Sequence, residues 1–305
     1  MRGAEAVVAT EGGFTELSQL GRESSIIDRV TELQRATRAL ASSLGVAARY
    51  LQAGDNVTSE THAESAKEIY GCFRRNGGAY IKMGQLILQL DQLLPPEYIT
   101  ELQPLMDEAP PTSFKDVKTI VREEFGKELE ELFSEFDPVP LGSASLGQAH
   151  RAVLKATGEE VAVKVQHKNV RRQSPGDIRL FGLVLRAAES LFPDFKYAWL
   201  AEDFEELLPQ ELNFRKEAEN CERCAEIFKD NPHIVVPSIF HDYTTERVLT
   251  MSYEKGVSMT QLDEENTYGF DFQRCAELIS EAFSYMIFDR GFLHCDPHAG
   301  NIIVR

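Results

Sequence analysis

The chain has 305 residues, 43% hydrophobic and 27% charged, with 49 acidic against 32 basic side chains and a formal net charge of −17. That length can bury one large core or two modest ones, and the acidic surplus argues against non-specific nucleic-acid binding, which needs a basic face to neutralise phosphates. Five cysteines, an odd number with no signal peptide, suggest reduced thiols rather than a disulfide framework, and no apolar run approaches the 18 or so residues of a transmembrane helix.

Residues 1–24 mix glycines with polar side chains and read as a disordered lead-in. Glu5, Glu11, Glu16 and Glu23 give this stretch the wrong charge for a transit peptide. From Ser25 to Met106 the pattern is helical. Ile26, Ile27, Val30, Leu33 and Leu40 fall at helix-compatible spacing, and a second helical stretch over 60–93 is interrupted near Asn76-Gly77-Gly78. Pro95-Pro96 ends it, a short helix runs from Glu97 towards Met106, and Ala109-Pro110-Pro111 forms a linker. Thr112 or Ser113 then caps a helix that ends before Gly126.

After Pro138 the period changes. AHRAVL (149–154) and EVAVKVQ (160–166) read as strands joined by a turn containing Gly158. Helices resume over 177–192 and from Ala201 to Phe228, the latter kinked or restarted at Pro209. IVVPSIF (234–240) and RVLTMSY (247–253) read as strands, and an amphipathic helix over 271–290 is stopped by Gly291. The basic run at 168–172 reads as a solvated loop with phosphate or lipid contact as the alternative. Cys221 and Cys224 form a CxxC on a helical stretch without a second pair, so a structural reading outweighs a redox or metal one.

Three features carry chemistry. Gly142, Ser143, Ala144, Ser145, Gly147 and Gln148 form a run of small residues leading into a strand, where a backbone can approach a polyphosphate and offer it amide N–H groups. Alone, such a run is usually only a turn. Lys164 ends the apolar VAVK strand, a costly place for an ammonium unless it meets an anion or faces solvent. Asp296 and Asn301 are spaced as D-x-x-x-x-N. That is the spacing of the protein-kinase catalytic loop, in which the aspartate meets the acceptor hydroxyl and the asparagine holds magnesium. A helical glutamate should pair with the lysine, and Glu217 is the choice, Glu219 and Glu222 being read as solvated.

KMGQ (82–85), LLPPEY, GSASLGQAH, VAVKVQH, ELNFRKEAEN and HCDPHAGN together resemble the UbiB family, the aarF-domain-containing, atypical kinase-like proteins. The match runs from about residue 60 to the end, and VKVQH with HCDPHAGN is similar to a mitochondrial eukaryotic branch. The resemblance implies an α+β, protein-kinase-like fold. It would have a helical N-terminal extension (25–111), an N-lobe with a helical insertion (112–256) and the start of a C-lobe (257–305). It implies ATP and Mg2+ as cofactors, with Lys164, Glu217 and Asp296 as catalytic residues and Asn301 as a metal ligand. Gly142 to Gln148 becomes the loop over the nucleotide. Lys82, Gly84 and Gln85 become the KxGQ segment that packs over the active site, held by Glu211 of an ExD motif. A mitochondrial location follows from the same resemblance, with a membrane lipid or a lipid-pathway protein as partner and a role in lipid or coenzyme Q homeostasis.

Three departures qualify it. Gly142 and Ser143 open a loop that is alanine-rich in the family, and Asn213 stands where ExD has its aspartate. A DFG-type aspartate is not found before Arg305, so the expectation is a C-lobe that is incomplete. Three readings follow: an ATP-dependent phosphotransferase or ATPase, a nucleotide-responsive pseudokinase scaffold, and an inactive fragment.

Overall fold

Two glycines decide the shape of the N-terminal helices. In the computed structural model, which describes residues 26–90, 92–106, 111–262, 268–294 and 299–305, α1 (Ile26–Ala53) is followed by α2 (Ser59–Asn76). Thr58 caps α2, and the side chain of Thr61 answers it in a reciprocal capping box. Gly77 and Gly78 then take φ of 65° and 56°, a left-handed region open to glycine at little cost. The chain re-enters a helix as α3 (Ala79–Leu88), so the stretch expected over 60–93 is two helices and a set of turns. Pro96 sits at the start of α4 (Pro96–Leu102), where its missing N–H costs no intrahelical bond. Ser113 caps α5 (Phe114–Phe125), and Gly126 closes it at φ 66°, as the sequence expected.

The sheet begins earlier than the change of period suggested. After a single turn, α6 (Leu129–Leu132), β1 (Phe133–Phe136) pairs antiparallel with β3 (Gly147–Leu154), and β2 (Gly142–Ser143) pairs with β3 as well. β1 escapes a sequence reading because only Phe133 of its four residues is buried. β3 and β4 (Glu160–Gln166) are the expected hairpin strands, with Gly158 at φ 75° between them. The strand order is β1-β3-β4-β5, where β5 is Val248–Ser252. IVVPSIF is not a strand. Pro237 has no N–H to give a ladder, and the segment is reduced to a bridge between Ile239 and Met251.

Two helix boundaries also differ. α7 (Val170–Leu191) starts seven residues before the expected 177 and carries Pro175 in its second turn, where it forfeits one hydrogen bond. α8 (Trp199–Glu211) runs through Pro209, and the break falls at Leu212-Asn213 instead. There the chain turns into α9 (Phe214–Phe228), whose Phe214 N–H donates to Glu246 O at 3.0 Å. β6 (Val257–Ser258) pairs with β7 (Ile303–Val304) in a second small sheet. Between them, α10 (Phe272–Tyr285) is capped by Asp271 and continues through a wider turn, Met286–Arg290, to Gly291 at φ 57°.

The chain divides into two compact units. The first takes residues up to Gly126, with Pro138–His150 and Lys164–Asn213; the second takes Lys127–Asp137, Arg151–Val163 and Phe214–Arg305. In the first, Ile81 and Met83 of α3, Leu102 and Leu105, Ile178 of α7 and Leu208 of α8 close a core in which none is more than 1% exposed. Each such side chain is worth about 1.5–3 kcal/mol of transfer free energy. The second has a smaller core, with Phe214 and Ala218 of α9 against Leu249 of β5. α10 contributes no buried residue, and Phe288 just beyond it is 83% exposed. Among the described residues, no helix is long and apolar enough to cross a membrane. The expected lead-in, residues 1–24, lies outside the described residues.

Candidate functional site

The small-residue loop is a tight, fully tethered turn. β2 and β3 bring Gly142 opposite Ala149 and Ser143 opposite Gln148. At the tip, Ala144 N–H donates to Gly147 O at 2.8 Å. A Cβ on Gly147 would sit 2.7 Å from the carbonyl oxygen of Val165, so a side chain there would displace backbone. Around Gly142 a Cβ would meet nothing within 4 Å, so this glycine is not required by space. Ser143 Oγ is buried with no hydrogen-bond partner.

His167 holds the loop from below. Its N–H donates to Leu146 O at 2.9 Å, and its Nε2 lies 2.8 Å from Ala144 O. A carbonyl only accepts, so Nε2 carries the proton and Nδ1 is an acceptor, satisfied by the Thr112 hydroxyl at 2.7 Å. Burial pushes the imidazole below its usual range, against the pull of Ala144 O, which favours the neutral ring that this pattern needs. Gln148 is bonded at both ends of its amide. Its Oε1 accepts from Thr112 N–H at 2.6 Å, while its Nε2 donates to Thr112 O at 3.1 Å and to His150 Nε2 at 2.9 Å. The side-chain amide of Gln148 therefore works as a strut. A cleft of about 220 Å3 lies between Ser145 at the loop tip, Gly78 and Ile81 at the start of α3, and Lys168 and Asn169 before α7. Lys168 Nζ is engaged by Asp116 at 2.5 Å, and that ammonium holds the carboxyl below its ordinary range.

Lys164 follows from strand alternation. Val161, Val163 and Val165 of β4 turn to the buried face, and Lys164 stands half-buried on the other. Gln166 breaks the alternation. It is fully buried and donates from Nε2 to Leu212 O at 2.8 Å, inside the Glu211-Leu212-Asn213 corner. VAVKVQ thus carries both the lysine and the hook that fixes the corner after α8.

The KMGQ turn packs by its glycine. Lys82 Nζ lies 2.9 Å from the Glu211 carboxylate. A Cβ on Gly84 would collide with Leu105 Cδ1 and come within 3.2 Å of Phe73, while Gln85 Nε2 donates to Leu105 O at 3.3 Å. Arg35 of α1 secures the elbow before α3. It pairs with Asp177 of α7 through two hydrogen bonds of 2.5 and 3.2 Å, and it also donates to Asn76 O and Gly77 O. Arg35, Asp177, Gln166 and His167 were not singled out from the sequence, and Thr112 was read only as a helix-cap candidate. Gln166 and His167 stand inside VAVKVQH, a motif of the resemblance in which only Lys164 was given a role.

In the second unit, Glu217 is half-buried in the first turn of α9. Glu219 is exposed beside Lys216, and Glu222 reaches His241 at 2.6 Å. Asn301 ends the turn Ala299–Asn301 at the surface, and Asp296 falls outside the described residues. Cys221 and Cys224 are free thiols; Cys221 donates to Pro237 O at 3.3 Å, and burial pushes it up to about 11. A redox-active CxxC needs a lowered thiol pKa, so the structural reading of this pair fits.

The Ser143 hydroxyl lacks an acceptor, which a phosphate oxygen would supply. Among the described residues, no three or more His, Cys, Asp or Glu side chains gather as a metal site.

A model of the ABC1 atypical kinase-like domain matches residues 104–305. The chain is 40% identical over 261 residues to AarF domain-containing protein kinase 1 of Xenopus laevis, covering 84% of this chain and 50% of the frog protein. It is 39% identical over 249 residues to an ABC1 family protein, the MCP2 homolog of Schizosaccharomyces pombe, covering 81% and 44% respectively. The chain spans about half the length of the curated relatives it matches. Among solved structures, it is similar to Rv3197 of Mycobacterium tuberculosis in complex with erythromycin. The TM-score is 0.55 at 25% identity, covering 82% of this chain and 63% of that one.

Proposed function

Because the chain belongs to the ABC1 (AarF) atypical kinase-like family, we propose that it binds ATP and serves an ATP-dependent phosphotransferase or ATPase of the UbiB type. The observation that carries this reading is the tethered loop 142–148. The backbone of Gly142, where a Cβ would meet nothing within 4 Å, is open to a ligand, and the unsatisfied Ser143 hydroxyl suits the phosphates of a nucleotide. In this reading Lys164 clamps the phosphates, with Glu217 as its orienting partner. Asp296 positions or deprotonates the acceptor, and Asn301 offers its amide oxygen to the metal that accompanies the nucleotide. Magnesium would screen the charge of the phosphates, while the residues named do the binding and orienting.

A second reading, a nucleotide-responsive scaffold, is favoured by one substitution. Asn213 keeps the hydrogen-bonding shape of an ExD aspartate but removes its charge. The link to mitochondrial lipid or coenzyme Q homeostasis rests on the resemblance to the UbiB family alone.

Thermal unfolding with and without ATP–Mg2+ tests the proposal. At a nucleotide concentration of 100 Kd the folded state gains about 2.7 kcal/mol, a rise of a few degrees in Tm. Lys164→Met should remove that rise, and Asp296→Asn should abolish turnover while keeping it. A rise with no turnover in the wild type selects the scaffold. No rise at millimolar ATP ends both readings.

A further inference from the structure

α1 is built inside out. Its inward face carries Arg35, Ala39 and Ser42, at 7%, 6% and 8% exposure, while Ile26, Val30, Leu33, Leu40, Leu44 and Leu51 point to solvent at 45–83%. These outward residues follow steps of four and three, with Thr37 and Ala47 filling the two gaps in the series. That is a 3.5-residue period held over nearly four heptads, the spacing of a coiled-coil seam rather than of a helix lying on a globular core. We infer that this face of α1 is the interface with a second copy of the same chain, through a two-helix seam related by a twofold axis.

Two observations favour a second copy over other occupants. The positions flanking the seam hold Ile27, Gln34, Ala36, Ala41, Ser43, Ala48 and Tyr50, with Arg29 as the one charge. Largely neutral flanks let two identical helices approach without like-charge repulsion. A helix that settles on a bilayer instead borders its apolar face with lysine and arginine, whereas Arg29 is the one cation among the flanking positions here. From Ile26 to Leu51 the strip is about 38 Å long. Closing it on its own copy buries on the order of 1,000 Å2 in total, at the lower edge of specific interfaces, so the dimer should dissociate on dilution. Thr37 would be a polar residue at a core position, a type that fixes register at some cost in affinity.

Light scattering on the full chain across a concentration series tests the inference. A mass rising from one copy to two, and no further, is expected. Leu33→Glu/Leu40→Glu/Leu44→Glu should hold the mass at one copy with an unchanged far-UV spectrum, and with an unchanged Tm at dilutions where the wild type is also monomeric, because these side chains face water in the single copy. Thr37→Leu should shift the midpoint several-fold towards lower concentration, an effect misfolding cannot imitate. A wild type that stays monomeric at tens of micromolar overturns the inference, as does a triple variant that still dimerises. Monomers that float with phosphatidylcholine–cardiolipin vesicles would also overturn it and assign the face to lipid.

Discussion

Lys82 on α3 and Glu211 at the end of α8 meet at 2.9 Å, joining the KMGQ turn to the corner that Gln166 fixes from β4. The pair is partly open, with side-chain exposures of 21% and 38%, so screening leaves its coupling at about 1 kcal/mol or less. A double-mutant cycle of Lys82→Met and Glu211→Gln should return a coupling of that size, shrinking as salt is raised. A much larger, salt-insensitive coupling would show that the pair is desolvated in solution.

The loop and KMGQ glycines should separate cleanly under one substitution. Gly84→Ala forces a methyl into Leu105, and Gly147→Ala forces one onto the Val165 carbonyl, each overpacking a closed site at about 1–3 kcal/mol. Gly147→Ala should be the harsher, because backbone yields less than a leucine methyl. Gly142→Ala meets nothing within 4 Å and should be close to neutral in urea unfolding. Equal losses at all three positions would contradict this packing.

His167 gives the loop a pH dependence. Its pKa in the folded chain lies below the usual 6.5, so on acidification the unfolded chain takes up the proton first. Stability is therefore complete above about pH 6.5 and falls as the pH drops from there towards the lowered value. Nearby Asp116 stays ionised across that window, since Lys168 holds its carboxyl down. His167→Asn should be less stable at pH 7.5 and lose less between pH 7 and 5.5. Parallel stability profiles for the two proteins would place the titration elsewhere.

Caps and turns were legible because they are local. Ser113 and Gly126 bound α5, Gly158 turns the hairpin, and Gly291 ends the last helix, each through its own backbone chemistry. The UbiB-like motifs named the family for the same reason: their residue types are fixed along the chain. What escaped depends on partners distant in sequence. Gln166 is a strut only because Leu212 O lies beside it, and Gln148 reads the backbone of Thr112, 36 residues away. Pro209 misled because a proline can be accommodated where the helix tolerates one missing bond, while the break at Leu212-Asn213 answers to packing and to Gln166. IVVPSIF had strand composition, but its proline interrupts the ladder.

Arg35 and Asp177 supply the sharpest test of the first unit's core, since both are buried and both are charged. Burial pushes the Asp177 carboxyl up while the Arg35 guanidinium pulls it down, and the two hydrogen bonds keep the pair matched. Arg35→Met leaves a buried carboxylate alone and should cost about 3–5 kcal/mol. Asp177→Asn should cost less, because Arg35 still donates to Asn76 O and Gly77 O. Replacing both, as Arg35→Met/Asp177→Leu, removes two desolvated charges together and should recover most of the loss. The elbow at Gly77-Gly78 would still lose its anchor. In the double variant, amide exchange over α3 should therefore rise even where global stability returns. Recovery of stability with unchanged exchange would mean that the apolar contacts of Ile81 and Met83 hold α3 without help from Arg35.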